Sequence, residues 1–219
     1  MNKKNEWNDR ALSLADYKKQ ICRPLSEGQW QEIFLDIKSK LVIDENARSI
    51  LDIGCGNALI LSFLAEYFSN INGIDYAEAM IKKAKILLPE GNFITGEAAN
   101  LDYADKSFDH VLSYSIFHYF PNEKYVFRVI DEILRVTKPG GIILIGDILD
   151  AKYESNIKAV SNKDIENKLP YILRYSEWMF CNLKELEDYI KPKAKKVEIL
   201  SQPSSFKLGY YRKDLRVWV

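Results

Sequence analysis

The sequence predicts an α/β domain on a mostly parallel sheet, from three observations. Strand-like apolar runs alternate with amphipathic helical segments at βαβ spacing, which implies parallel pairing through right-handed crossovers. The first of these runs breaks into a two-glycine turn and resumes at once as a helix. The last two strand-like segments, 195–201 and 210–219, alternate apolar with polar residues across a short connection, the pattern of an antiparallel hairpin.

Residues 1–45 read as a helical arm. Weak helical spacing at Leu12, Leu14, Ala15 and Ile21 predicts a short helix or two before Arg23-Pro24. Trp30, Ile33, Phe34, Ile37 and Leu41 then recur every three or four residues, so 27–41 is an amphipathic helix covering one sheet face. Residues 46–150 form the core. Ile50, Leu51 and Ile53 make a buried parallel strand that ends in Gly54-Cys55-Gly56, followed by helical periodicity through Leu59, Ile60, Phe63, Leu64 and Tyr67. Strands are expected at 70–75, 92–97, 108–113 and 142–145. Helices are expected at 77–88, stopped by Pro89, and at 122–136, and Lys138-Pro139-Gly140-Gly141 should force a turn. Residues 151–219 complete this single domain: a polar stretch with an aromatic cluster from Tyr171 to Phe180, a helix at 183–190 opened by an Asn182/Glu185 capping box, and the terminal hairpin. No repeat or second domain is seen.

Composition narrows the function classes. Lys+Arg and Asp+Glu both total 31, so net charge favours neither nucleic acid nor an anionic membrane. No apolar run approaches the roughly 20 residues that span a bilayer, and the opening MNKKNEWNDR lacks the apolar core of a signal peptide. Cys22, Cys55 and Cys181 are too few and too scattered for a disulfide framework or a metal site, so no metal is expected and the reducing cytoplasm is the expected location.

The glycine turn excludes two ligand motifs. A P-loop would close on Gly-Lys-Ser/Thr, which is missing, and the dinucleotide fingerprint needs glycine where Leu59 stands. The pattern present is acid-x-Gly-x-Gly: Asp52, Gly54, Gly56. Acids also end the next two strands, Asp75 and Glu97. In an open α/β sheet these positions line the crevice beyond the strands' carboxyl ends. Asp75 follows the turn by about 20 residues, the spacing at which a carboxylate accepts from both hydroxyls of a ribose.

This constellation resembles motif I of the class I S-adenosylmethionine (SAM)-dependent methyltransferases, with Ala58 where the family usually has a third glycine. GIDYAEAMIKKA (73–84) is similar to the family's second-strand segment, GEAANLDYADKSFDHVLS (96–113) to its adenine segment with Glu97 for the commoner aspartate, and VTKPGGIILI (136–145) to the turn before its fifth strand. The resemblance spans roughly residues 49 to 148. It implies a three-layer sandwich with a seven-stranded sheet of order 3-2-1-4-5-7-6, the last strand antiparallel and helices on both faces, and the terminal hairpin agrees with that order. It also implies SAM as cofactor and S-adenosylhomocysteine (SAH) as product. The implied cofactor residues are Asp52, Gly54, Cys55, Gly56, Asp75 for the ribose, Tyr76 beside adenine, Glu97 for the adenine amino group, Ala98 and Ala99 at the ring, and Ser113. The N-terminal arm is either a packed segment or a lid over the cofactor.

Acceptor chemistry is expected from 113–119, where His118 is the candidate general base, since imidazole titrates near pH 6.5; the other reading is a histidine packed at a helix start or touching cofactor. His110 lies within a strand and reads as structural. Asp147 and Asp150 either meet the acceptor or cap the next segment. The Asn/Asp-Pro-Pro-aromatic tetrapeptide of family members that methylate nucleobase or glutamine amines is absent. The aromatic cluster 171–180 reads as helical core packing ahead of an acceptor wall, and the lysines at 191–196 as a solvated junction. The function expected is methyl transfer to a small molecule at oxygen or nitrogen. The alternatives are a tRNA or protein methyltransferase and a non-catalytic SAM/SAH-binding protein.

Overall fold

The computed structural model describes residues 3–21, 25–206 and 208–219; Cys22 and the Arg23-Pro24 boundary lie outside them. The elements in chain order are α1 (Lys3–Ser13), α2 (Tyr17–Gln20), α3 (Glu27–Leu41), β1 (Ser49–Ile53), α4 (Leu59–Leu64), β2 (Asn70–Asp75), α5 (Glu78–Leu87), β3 (Asn92–Thr95), β4 (Phe108–Tyr114), α6 (Glu123–Val136), β5 (Thr137–Leu149), α7 (Glu154–Ala159), α8 (Lys163–Glu166), α9 (Leu183–Ile190), β6 (Lys196–Ser201) and β7 (Arg212–Trp218). The sheet has seven strands in the order β3-β2-β1-β4-β5-β7-β6. The first five pair in parallel, and β7 runs antiparallel to both β5 and β6.

Strand alternation sorts the apolar side chains into two cores. Ile50, Leu112 and Leu144 pack under α3 and α4, whereas Leu51, Val111 and Ile143 pack under α6 and α9. This is the expected three-layer sandwich. α3 begins at a complete Ser26/Gln29 capping box and buries Trp30, Ile33, Phe34, Ile37 and Leu41. α6 starts at the Asn122 cap and buries Val126, Val129, Ile130 and Ile133 on one stripe. α1 is different: among its residues only Ala11 is buried, so polar contacts and Trp7 must hold it.

Three local expectations shift. The third strand stops at Thr95, two residues before Glu97. Lys138–Gly141 does not break the chain: β5 starts at Thr137, with Gly140 at φ 85° and a register shift opposite Phe108/His110 absorbing the kink. The aromatic stretch 171–180 forms short 3-10 turns in place of a helix.

Candidate active site

β1 and β4 are neighbours whose connections leave in opposite directions, and the cavity opens at their carboxyl ends, where such sheets bind ligands. The chain leaves β1 through Gly54 (φ 77°) and Gly56 (φ 54°), conformations that glycine adopts without steric cost. A Cβ on Gly54 would lie 2.5 Å from Ile116 Cγ2, so the turn leaves no room for a side chain. The Gly54 and Cys55 N–H groups donate to the Ile74 carbonyl at 2.8 and 3.1 Å, which ties the turn to β2. Ala58, in the family's third-glycine position, is left-handed at φ 63° and starts α4.

Asp75 completes the turn from β2. Its Oδ2 accepts from the Gly56 N–H at 2.9 Å and its Oδ1 from the Ala77 N–H at 2.8 Å. Burial pushes its carboxyl up to about 6 against the lowering effect of those two N–H groups, with Glu97 adding to the rise. Burial, and then the charge of Asp75, push Asp52 further, to about 8. Cys55 is buried and its thiol raised for the same first reason.

These groups line a cavity of about 460 Å³, toward the smaller end of the roughly 300–1,000 Å³ typical of small-molecule sites. Of the sequence-predicted residues, Asp52, Gly54, Cys55, Gly56, Asp75, Tyr76, Glu97 and Ala98 line it. Glu97 is exposed, and its Oε2 accepts from the Tyr125 hydroxyl at 2.8 Å.

Three expected residues do not line the cavity. Ser113 is fully buried and lies on the strand face opposite Leu112 and Tyr114; it is Tyr114 and Ser115 that form the wall. Ala99 packs against the core beneath α6. His118, 2% exposed, packs between the rings of Tyr119 and Trp178, with centroids 4.1 and 4.7 Å away, and Tyr119 takes the place in the wall. The ring is packed and away from the cavity. His110 is structural, bonded through Nε2 to the Leu41 carbonyl at 3.1 Å. Asp150 caps the following turn through the Lys152 N–H, and Asp147 pairs with buried Arg212 at 2.5 Å. Trp178 and Phe180 belong to a core cluster with Leu149 and Tyr211. Lys191, Lys193 and Lys196 pair with Glu187, Asp131 and Glu198, as expected for a solvated junction.

The arm supplies walls that strand patterning did not reveal. Trp7 of α1 meets Tyr119 edge-on at 5.6 Å, and both line the cavity. α1 is pinned at three places: Asn8 Oδ1 accepts from the Ala79 N–H at the start of α5, Lys3 Nζ donates to the Tyr119 carbonyl, and the Glu6 carboxylate accepts from the Tyr171 and Ile172 N–H groups, both at 2.9 Å. Asn57, just past the glycine turn, donates to the Tyr17 carbonyl and to Gln20, which holds α2 beside it. Asn57 and Glu6 gave no signal in sequence because polar residues facing main chain have no periodicity.

Residues 51–145 match the family model described as "Methyltransferase domain". Over that segment the chain resembles the class I SAM-dependent methyltransferases. It is 28% identical over 134 residues to a phthiotriol/phenolphthiotriol dimycocerosates methyltransferase of Mycobacterium tuberculosis, covering 58% of this chain and 48% of that one. It is 32% identical over 127 residues to a demethylmenaquinone methyltransferase of Paenarthrobacter aurescens, covering 56% and 47%. The chain thus spans about half the length of these curated relatives. The same fold occurs in the N-methyltransferase NodS of Bradyrhizobium japonicum in complex with SAH, with TM-score 0.72, 14% identity and 99% and 98% of the two chains covered. Among the described residues no helix is long and apolar enough to cross a membrane, and no cluster of three metal-ligating side chains occurs.

Proposed function

We propose that this chain transfers a methyl group from SAM to a small-molecule acceptor, at oxygen or nitrogen. The observation that carries the proposal is the gathering of Asp52, the Gly54/Gly56 turn, Asp75 and Glu97 around one cavity that continues into apolar and aromatic walls. Those residues fit the cofactor. The turn at Gly54 admits no side chain, and each Asp75 oxygen, engaged by one N–H, keeps a lone pair for a ribose hydroxyl. In this reading Asp75 would hold the ribose, Tyr76 would pack beside adenine, and Glu97 with the Ala98 N–H would meet its polar edge. The ionised form of Asp52 would favour the cationic part of the ligand.

When bound, the cofactor supplies a methyl group on a sulfonium centre. The chain's own contribution is alignment and exclusion of water, the main sources of rate for such a transfer. α1, with Trp7, closes the cavity from above, which supports the lid reading of the arm. Tyr114, Ser115 and Tyr119 would position the acceptor. No imidazole lines the cavity among the described residues, which suits an acceptor that needs little help in losing a proton. Both curated relatives are named for small-molecule acceptors. A cytoplasmic location is part of this reading and rests on the few, scattered cysteines.

The test is incubation with methyl-labelled SAM and cell extract, followed by separation of acid-soluble from precipitable material. Label in the soluble fraction is expected. Label confined to the precipitate would mean a macromolecular acceptor, and bound cofactor with no label anywhere would mean a binding protein.

A further inference from the structure

Among the carboxylates that line the cavity, Asp75 holds two N–H groups and Glu97 holds the Tyr125 hydroxyl. Asp52 holds nothing. It is 3% exposed, and among the described residues it accepts no hydrogen bond and forms no ion pair. Its oxygens are not sealed in the core either. They keep accessible surface, unlike the unpaired and occluded polar atoms of Ser113 and Trp30, and the residue lines the cavity. A buried carboxylate without a partner is strongly disfavoured as an anion and takes up a proton.

The groups around Asp52 support that state. β2 brings the second carboxylate of Asp75, and the chain just after β3 brings Glu97. β4 sets Leu112 beside it in register, and α3 and α4 contribute Trp30, Ile33, Leu59 and Ile60, none of which titrates. α1 brings Lys3 and Lys4. Lys3 donates to the Tyr119 carbonyl at 2.8 Å, Lys4 stands 3.8 Å from Glu78, and neither pairs with Asp52. The Cys55 thiol and the hydroxyls of Tyr76, Tyr114, Tyr119 and Tyr125 carry no charge near neutral pH. Two N–H groups support the charge of Asp75, so of the two neighbouring acids Asp52 keeps the proton; burial and then the Asp75 charge raise it to about 8. A cation entering the cavity reverses the balance, because away from water it gains far more from an ionised carboxylate than from a neutral carboxyl.

We infer that Asp52 holds a proton in the unliganded chain and releases it when a cationic ligand enters, so that uptake of the cation is coupled to loss of one proton. The carboxyl O–H bond breaks, the proton passes to the buffer, and the carboxylate stays as the counter-ion. The inference rests on the methyltransferase reading above, which supplies the cation: SAM carries a sulfonium and an ammonium, SAH an ammonium alone.

Calorimetric titration of the full chain in two buffers of different ionisation heat counts the protons directly. At about pH 7, SAM should release about one proton per site. 5′-Methylthioadenosine, which keeps the nucleoside and lacks both cations, should release none. SAH separates the two cations: release with SAH assigns the ammonium to Asp52, and release with SAM alone assigns the sulfonium. Asp52→Asn, which copies the neutral carboxyl in shape, should release no proton with any of the three. A second measurement needs no variant: the infrared band of a protonated carboxyl in the unliganded chain should disappear as SAM binds. SAM binding whose heat does not depend on the buffer, equal release by the Asp52→Asn chain, or equal release with 5′-methylthioadenosine would overturn the inference and leave the methyltransferase reading standing. Failure of both SAM and SAH to bind would overturn the two together.

Discussion

The Gly56 N–H donates to Asp75 Oδ2 across 2.9 Å, so the turn after β1 and the tip of β2 are one unit. The other oxygen of the same carboxylate holds the Ala77 N–H at the start of α5. One side chain thus shapes the turn, starts a helix and faces the cavity.

Asp75→Ala therefore does more than remove the proposed ribose contact. Two main-chain N–H groups lose their acceptor, at about 1 kcal/mol each where water replaces it. The unliganded chain should melt a few degrees lower, on the scale of about 2–4 °C per kcal/mol for a domain of this size. SAH affinity should fall at least about tenfold. Thermal melts with and without SAH check both; an unchanged melting temperature would mean that the turn does not depend on Asp75.

Asp52 and Asp75 set a pH dependence with a definite sign. Burial chiefly, and neighbouring charge next, raise them to about 8 and about 6 in the folded state, above the unfolded value of about 4. Between those values the folded chain binds more protons than the unfolded one. The stabilisation is fully present below about pH 4 and is lost as pH rises through about 6 and then about 8. Melting temperatures of the unliganded chain should fall from about pH 5 to about pH 8.5, and Asp52→Asn should flatten the upper part of that fall. Identical profiles for the two proteins would show that Asp52 does not titrate there.

Asp147 stands at φ 63° in the β5 bulge with its carboxylate on Arg212, and Gln202 bridges it to Asp214 and to the Tyr114 hydroxyl. Asp147→Leu leaves a buried guanidinium without its ion partner, a loss of about 3–5 kcal/mol. Chemical denaturation reads it directly; a change under about 1 kcal/mol would mean that the pair is not closed in solution.

Glu6→Ala removes the acceptor of two N–H groups that join α1 to the 171–173 turn. Little apolar burial holds α1, so the segment should open more often, and protease cleavage within 3–13 should quicken about fivefold or more with little change in melting temperature. SAH should slow that cleavage in the unaltered chain. Equal cleavage rates for the two proteins would remove Glu6 from the role of latch.

His118→Gln separates packing from catalysis. Loss of the ring between Tyr119 and Trp178 should lower stability by about 1–2 kcal/mol, with SAH affinity retained. A normal melt combined with abolished methyl transfer would restore His118 as a base.

The sheet and the cofactor end were legible because parallel strands, glycine turns and strand-end acids each leave a local pattern: Ile50–Gly56 and Gly73–Asp75 read almost as they stand. Ser113 does not line the cavity because alternation along β4 turns it to the other face and gives the wall to Tyr114. His118 does not line it either, because a 3-10 turn at 117–119 sets its ring inward, which no helical or strand period reveals. Glu6, Asn57 and Tyr125 act through long-range polar contacts that leave no periodicity, and Trp30 reads in sequence as one more apolar position on a helix face.

The most direct test of the central assignment is calorimetric titration of the full chain with SAH, with NADH as control. One SAH site per chain is expected, weakened at least tenfold by Asp75→Ala, with no heat from NADH. Absence of binding at millimolar SAH, or equal binding by the Asp75→Ala chain, would contradict the proposal that Asp52, the glycine turn, Asp75 and Glu97 enclose an adenosine site.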